Sequence, residues 1–209
     1  MLSVIIYGAG GHGQEIAWIT ERTGQFKVIG FFDNFFKQDT YCGYPILNNL
    51  SSISKHSFFI IAIGDTTLRK KIVTELIKDG FYNFPSIIDP SAIVSSNASI
   101  GDGVIVFPKC VISTNVVLND FSNINTGTII SHRAVIGKYS NICPNVSICG
   151  DVKIEDAVFI GAGATINDHI SIEEQAIIGS GAVVTRNVIK NSLYAGVPAT
   201  FKKLIGEQT

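Results

Sequence analysis

INTGTIISHRAVIGKYSNICPNVSICGDVKIEDAVFI, residues 124–160, has an aliphatic residue at every sixth position: Ile124, Ile130, Ile136, Ile142, Ile148, Ile154 and Ile160. Working outward, the rule holds without a break from Ile88 to Val184, through Val94, Ile100, Val106, Ile112 and Leu118 on one side and Ile166, Ile172 and Ile178 on the other. With about a third of residues being Ile, Leu or Val, chance gives a run of this length at odds on the order of 10⁻⁸. A helix repeats every 3.6 residues and a strand every two. A period of six belongs to a parallel β-helix of hexapeptide repeats. Each unit forms one flat face of a triangular coil and points its aliphatic residue inward. Coils stack at strand spacing, about 4.8 Å, so the run makes nearly six coils and a prism roughly 27 Å long. Small residues or Val two positions before the aliphatic, among them Ala98, Val104, Ala134 and Ala164, are expected to let the coil turn its corners.

The chain has 209 residues, 46% of them hydrophobic and 16% charged, with a net charge of −1. This composition describes a well-buried globular chain rather than a disordered one. The charge balance offers no basic patch for nucleic acid or an anionic membrane. Apolar runs such as Phe58 to Ile63 are too short to cross a bilayer, and the N-terminus enters a strand without the positive region of a signal peptide. A cytoplasmic protein is expected. Cys42, Cys110, Cys143 and Cys149 form no CxxC pair and are read as free thiols. No His or Cys is spaced to hold zinc, so no metal site is expected.

About 85 residues precede the hexads, so two domains are expected, 1–85 and 86–209, the second ending in a short tail. Ser3 to Tyr7 reads as a buried parallel strand. The glycine run Gly8-Ala9-Gly10-Gly11-His12-Gly13 follows it, and Gln14 to Thr23 reads as a helix. Lys27 to Phe32 and Phe58 to Ile63 read as strands, and Thr66 to Lys78 as a helix with Leu68, Ile72, Leu76 and Ile77 on its apolar side. Alternating strands and helices argue a small parallel α/β sheet. The glycines let backbone approach a phosphate at a helix N-terminus, and Asp33 lies at the distance of a ribose-reading acid. Only one mononucleotide half fits before residue 85. A nucleotide or nucleotide-sugar half-site is therefore preferred to a dinucleotide site or a purely structural turn. His12 sits where a phosphate would lie, either as a ligand contact or as an exposed turn residue.

Two histidines fall in the solenoid, His132 and His169. His132 sits two residues after Ile130, at a coil edge. Gly150 lies 18 residues later and should stack one coil away, placing a backbone N–H without a side chain near a potential base.

With these residues in view the chain resembles the PglD- and NeuD-like nucleotide-sugar acetyltransferases. Four blocks carry the likeness: Tyr7-Gly8-Ala9-Gly10-Gly11-His12-Gly13, Ala62-Ile63-Gly64-Asp65, Asn125-Thr126 followed by Ile130-Ser131-His132, and Tyr194-Ala195-Gly196-Val197-Pro198-Ala199. The resemblance implies an α/β, half-Rossmann-like N-terminal domain followed by a left-handed parallel β-helix. It also implies a homotrimer with acetyl-CoA between two prisms and a 4-amino-sugar nucleotide over the N-terminal domain. His132 matches the family base, Gly150 the amide that polarises the thioester, and Asn125 a neighbour of the base. Asn141, Gly161, Ala162 and Ser180 match the CoA groove. Gly10, Gly11, His12, Asp33, Asn34 and Gly64 match the sugar-nucleotide site. The implied activity is acetyl transfer from acetyl-CoA to a dTDP- or UDP-linked 4-amino-4,6-dideoxy sugar, for a surface glycan.

One residue departs from that pattern. The family often has a glutamate after the histidine, and here Arg133 stands there. Either another acid orients the imidazole or Arg133 turns away to a phosphate. Two other functions stay open: O-acetylation of a sialic acid, and a non-catalytic trimeric nucleotide-sugar-binding protein.

Overall fold

The computed structural model describes residues 1–206, in two compact units. The division falls after Pro90, where the sequence reading placed it after residue 85. The architecture is the expected one, an α/β unit followed by a left-handed parallel β-helix.

In the first unit β1 (Leu2–Tyr7), α1 (Gly11–Arg22), β2 (Phe26–Phe32), β3 (Thr40–Tyr41), β4 (Tyr44–Leu47), β5 (Phe58–Ile61) and α2 (Thr66–Lys78) follow in chain order. The sheet order is β3-β4-β2-β1-β5. All neighbours are parallel except β3 and β4, which form a hairpin. That hairpin was not expected. Its turn is Cys42-Gly43, both at positive φ (49° and 81°), a two-residue turn suited to tight antiparallel pairs. The helix α1 begins at Gly11, three residues earlier than expected, so Gly11, His12 and Gly13 are its first turn. Gly13 cannot carry a side chain, because a Cβ would stand 2.1 Å from the Gly8 carbonyl oxygen. The apolar stripe of α2 also differs. Arg69, Ile72, Val73 and Leu76 are buried, at i, i+3, i+4 and i+7, while Leu68 and Ile77 are left 46% and 39% exposed.

In the second unit two-residue strands recur every six residues from Ile93–Val94 to Val183–Val184. They form three parallel sheets in which each residue pairs with the one 18 further on, as in Asn123↔Asn141↔Phe159, Ile129↔Ser147↔Thr165 and Val135↔Lys153↔Ser171. We call these the first, second and third faces. All fourteen hexad aliphatics from Val106 to Val184 are at most 1% exposed. Val94 and Ile100 are only half-buried, because the first coil has a neighbour on one side alone. Each buried side chain contributes about 2 kcal/mol. The coils end on the hairpin Ser192–Ala195 and Thr200–Leu204, whose first strand runs parallel to Ile177–Ile178.

The corners are not made as expected. The small residues two before each aliphatic point inward and fill the core. The chain turns instead at the residue three after each aliphatic. From Gly103 to Gly181 every sixth residue, fourteen in all, has φ between 55° and 74°. Ten of these are not glycine, and they include Phe121, Arg133, Tyr139 and Ala157. A left-handed L-residue costs roughly 1–2 kcal/mol. A hydrogen bond to the preceding coil offsets the cost, as in Arg133 N–H to Thr114 O at 3.0 Å and Asp151 N–H to His132 O at 3.0 Å. The glycines directly after an aliphatic serve a different need. A Cβ on Gly137 would stand 2.3 Å from the Glu155 carbonyl carbon, and one on Gly161 2.5 Å from the Ser180 nitrogen.

The two glycine classes should respond differently to alanine. Gly163 turns at φ 68° into open space, so Gly163→Ala is expected to cost about 1 kcal/mol. Gly137→Ala must push two coils apart and is expected to cost about 3 kcal/mol. Urea midpoints at constant slope read both, and the reverse ranking would refute this account of the corners.

Candidate active site

Two places in the chain gather polar groups around open backbone donors, one in each unit.

In the first unit the chain runs from β1 through α1 to β2 on one side, while β5 flanks β1 on the other. The strand order therefore reverses between β1 and β5. Ligands of open α/β sheets bind outside the carboxyl ends of the strands at such a point. The Gly8–Gly11 loop and the Ile63-Gly64-Asp65 loop leave the sheet there. Gly10 is the N-cap of α1 and offers no side-chain bond to the first turn, so the helix N-terminus is open to an anion. At the other helix, Asp65 caps α2 by accepting from the Leu68 N–H at 2.7 Å.

Asp33 organises this loop cluster. Its carboxylate accepts from the backbone N–H of Ala9 at 2.9 Å, Phe35 at 2.9 Å and Phe36 at 3.2 Å. It thus holds the glycine loop against the segment after β2. Asp33 and Asn34 line a cavity of about 320 Å³ with Tyr7, Phe35, Lys71 and Glu75. Burial and the nearby Glu75 and Asp33 carboxylates push the Tyr7 hydroxyl up. His12 is largely buried, and burial and the Arg69 guanidinium lower it to about 4. It is therefore a neutral imidazole at pH 7, able to donate one N–H but not to act as a cation toward phosphate. Arg69 is 1% exposed and donates to the Ile63 carbonyl at 2.5 Å. The sequence reading overlooked Arg69 and Lys71, because an amphipathic pattern is scored on apolar residues and charges on a helix are taken as solvated.

The second place is the corner after the second face of the solenoid. His132 and Gly150 stack as expected: a Cβ on Gly150 would stand 2.1 Å from His132 Cε1 and 2.7 Å from its Nδ1. The imidazole thus occupies the space above the Gly150 backbone and is half-exposed. After the third face two of the equivalent N–H groups are capped by a carboxylate 18 residues on, Asp102 N–H by Asp120 at 3.1 Å and Lys138 N–H by Asp156 at 2.8 Å. The Gly150 N–H has no such cap and no acceptor among the described residues. The Arg133 side chain is 58% exposed and ion-paired. Its Nε and Nη2 donate to both oxygens of Asp151, at 2.6 and 2.7 Å. That bond holds the Asp151 carboxyl below its ordinary value despite some desolvation.

The remaining residues named from sequence lie elsewhere on the prism. Asn125, Gly161, Ala162 and Ser180 sit at the corner that follows the first face, and Asn141 lies on that face. Asn125 Nδ2 donates to Ile142 O at 2.7 Å, and Gly161 packs against Ser180. The second face separates this edge from His132. One chain therefore does not bring the two groups together. The four cysteines are free, and among the described residues no group of three or more His, Cys, Asp or Glu is placed to hold a metal. No helix among them is long and apolar enough to cross a membrane.

Comparison with known proteins sorts these features. Residues 3–76 match the PglD N-terminal domain, and residues 151–186 match the bacterial transferase hexapeptide of six repeats. A UDP-N-acetylbacillosamine N-acetyltransferase of Bacillus subtilis (strain 168) is 32% identical over 112 residues, a match spanning 51% of each chain and so about half the length of that relative. The structure of WeeI from Acinetobacter baumannii AYE is 30% identical with a TM-score of 0.87, over 96% of this chain and 100% of that one. PerB from Caulobacter crescentus, in complex with CoA and GDP-perosamine, is 28% identical with a TM-score of 0.88, over 96% and 97%.

The buried imidazole of His12 has a consequence in acid. The folded chain holds His12 near 4 and the unfolded chain near 6.5. The unfolded state therefore takes up the proton first, and this group's contribution to stability is lost as pH falls from about 6.5 to about 4. Thermal unfolding of the wild type and of His12→Gln, followed from pH 7.5 to 4.5, should show the wild type losing more stability. Parallel curves would show that His12 titrates normally in the folded chain.

Proposed function

We propose that this chain, which belongs to the PglD-like family of hexapeptide-repeat nucleotide-sugar acetyltransferases, transfers the acetyl group of acetyl-CoA to the 4-amino group of a nucleotide-linked 4-amino-4,6-dideoxy sugar. The observation that carries the proposal is the His132 imidazole lying on Gly150, whose N–H is left without an acceptor among the described residues. Acyl transfer to an amine needs a proton acceptor and a donor aimed at the developing oxyanion, and this corner offers both within one coil step.

The amine attacks the thioester carbon. A C–N bond forms, and the carbonyl electrons move to oxygen, where the Gly150 N–H receives them. His132 takes the proton released by the nitrogen. Collapse of the intermediate breaks the C–S bond, and the leaving thiolate takes the proton back from His132. Products are the amide and CoA. Base catalysis of this kind contributes about 10²–10⁴-fold, one oxyanion donor about 3 kcal/mol, and positioning several kcal/mol. Cys110 and Cys143 take no covalent part in this reading. Cys110 is buried, and burial pushes the Cys143 thiol up.

Acceptor recognition belongs in this reading to the first unit. The open N-terminus of α1, with Gly10, Gly11 and His12, faces the diphosphate. Asp33, Asn34 and Gly64 shape the pocket, and Lys71 adds a cation to it. Acetyl-CoA lies along Asn141, Gly161, Ala162 and Ser180. These residues occupy a different edge of the prism from His132, so a complete site needs two copies of the chain, and a homotrimer supplies three such sites. The outward row of the second face supports this reading. Ile93 and Ile129 are 67% and 47% exposed there, and contiguous apolar surface usually marks an interface. The nucleotide is dTDP or UDP in this proposal, and the product serves as a building block for a surface glycan made in the cytoplasm.

The test is a panel of dTDP-, UDP- and GDP-linked 4-amino sugars, with a sialic acid as the hydroxyl acceptor, following release of free thiol from acetyl-CoA. Turnover is expected with an amino sugar, and His132→Ala should lower kcat at least 100-fold. Wild-type turnover in His132→Ala would remove the histidine from the mechanism. Failure of acetyl-CoA to bind by calorimetry would remove the activity. Light scattering should report a trimer, and a fully active monomer would end the shared-site arrangement.

A further inference from the structure

The imidazole of His132 needs more than a glycine beneath it. A general base must present one nitrogen to substrate and keep the other protonated, and a free histidine ring favours the opposite tautomer. The residue that follows His132 is Arg133, which cannot accept a hydrogen bond. The structure places a carboxylate at the same corner from one coil further on. Arg133 and Asp151 are 18 residues apart and share the left-handed corner conformation, φ 57° and 59°, so their side chains leave the prism side by side. Arg133 grips Asp151 through both oxygens. His132 Nδ1 lies 3.8 Å from Asp151 Oδ2, and Asp151 is the carboxylate within 4.0 Å of this ring among the described residues.

Resting on the reading of His132 as the base, we propose that Asp151 is its positioning residue: clamped by Arg133 at the next coil, it holds the His132 ring with Nδ1 protonated and Nε2 turned outward as proton acceptor. Three constraints then fix the ring. Gly150 supports one face. Backbone geometry ties Asp151 to the histidine directly, since Asp151 N–H donates to His132 O at 3.0 Å. The carboxylate takes the Nδ1 edge. An oxygen has capacity for two donors, so Oδ2 can keep its bond to Arg133 while drawing in Nδ1–H. The 3.8 Å separation is not a hydrogen bond in this chain alone. Proton uptake at Nε2 makes the ring a cation and strengthens its attraction to Asp151 at the moment the amine loses its proton. The arrangement has the logic of an acid behind a catalytic histidine, with the acid drawn from the neighbouring coil. Arg133 thereby fits the site: it keeps the carboxylate ionised and limits its rotamers.

A purely structural ion pair is the competing account, and exposed pairs contribute little to stability. The two accounts separate on readouts other than folding. The charged or titratable groups at this corner are Arg133, Asp151, and, one coil on, His169, which lies 3.8 Å from Asp168. With Asp151→Asn, kcat is expected to fall on the order of 10- to 100-fold, part of the range available to a general base. KM for both substrates should stay within about two-fold. The acid limb of kcat against pH should move to lower pH, because the anion that favours the imidazolium is gone. Asp151→Glu should restore most of the rate. Thermal unfolding of both variants should match the wild type.

A second measurement does not depend on turnover. Long-range ¹H–¹⁵N spectra of the ¹⁵N-histidine-labelled full chain above pH 8, with His132 assigned by its loss in His132→Gln, report the tautomer. The proposal requires Nδ1–H in the wild type and a shift toward Nε2–H in Asp151→Asn. An unchanged tautomer, or wild-type kcat with an unmoved acid limb, overturns it. If the chain acetylates no acceptor but the tautomer depends on Asp151, the proposed activity falls and the positioning stands.

Discussion

Every coil of the solenoid closes in 18 residues, and that closure is the constraint on which the rest depends. It requires three inward aliphatics, three inward small residues and three left-handed corners per turn. The aliphatics supply the hydrophobic drive. The corners are the costly part, since ten of the fourteen are L-residues in a region that normally favours glycine. They hold because eight of those ten donate their N–H to a carbonyl of the previous coil and Lys109 donates to the Ser91 hydroxyl, so the strain of such a corner is offset by the stack and not by its own side chain. A single coil on its own would have no such bonds.

The chemistry follows from the same closure. Residues 18 apart are neighbours, so every corner is a short column of side chains. One column carries Phe121 stacked on Tyr139, with centroids 5.4 Å apart and planes within 2°. Asp120 and Lys138 pair beside it at 2.8 Å. The column containing Arg133, Asp151 and His169 is the polar counterpart. His132 and Gly150 flank it, and the glycine matters for what it lacks. Any side chain at 150 would occupy the volume of the imidazole. The corner is thus a place where a ring, a free amide and an ion pair are held by backbone that cannot easily rearrange.

The first unit works by a different principle. Its polar groups are placed by the reversal of strand order between β1 and β5, not by a repeat. Asp33 spends its carboxylate on three backbone N–H groups, so it builds the loop that carries the glycines. Burial makes His12 neutral, and Arg69 lies deeper than its charge would suggest. These residues converge although they are far apart in sequence, because parallel strands deliver their C-terminal loops to one edge.

Much of this was legible in the residues. The hexad announced the solenoid, the glycine run announced the first helix N-terminus, and 18-residue stacking paired His132 with Gly150. The same stacking pairs Arg133 with Asp151, yet a spacing rule names positions and not side-chain directions. It does not show that both oxygens face Arg133, or that Nδ1 of a residue 19 positions away lies diagonally beside them. The hairpin at Cys42-Gly43 was hidden for a related reason, since two short strands carry little pattern. The burial of Arg69 was hidden because periodicity weighs apolar residues alone. The order of amino acids decided what is local and periodic: which residues point inward, where coils stack, where glycine is obligatory. The folded chain decided what depends on directions in space: that the corner turns three residues after the aliphatic, that His132 and the Asn125 edge lie across a face from each other, and that Asp151, one coil on, is the carboxylate beside a histidine whose next residue is Arg133. Burial leaves a period in sequence because it recurs at every turn, whereas the meeting of particular polar groups happens once and leaves none.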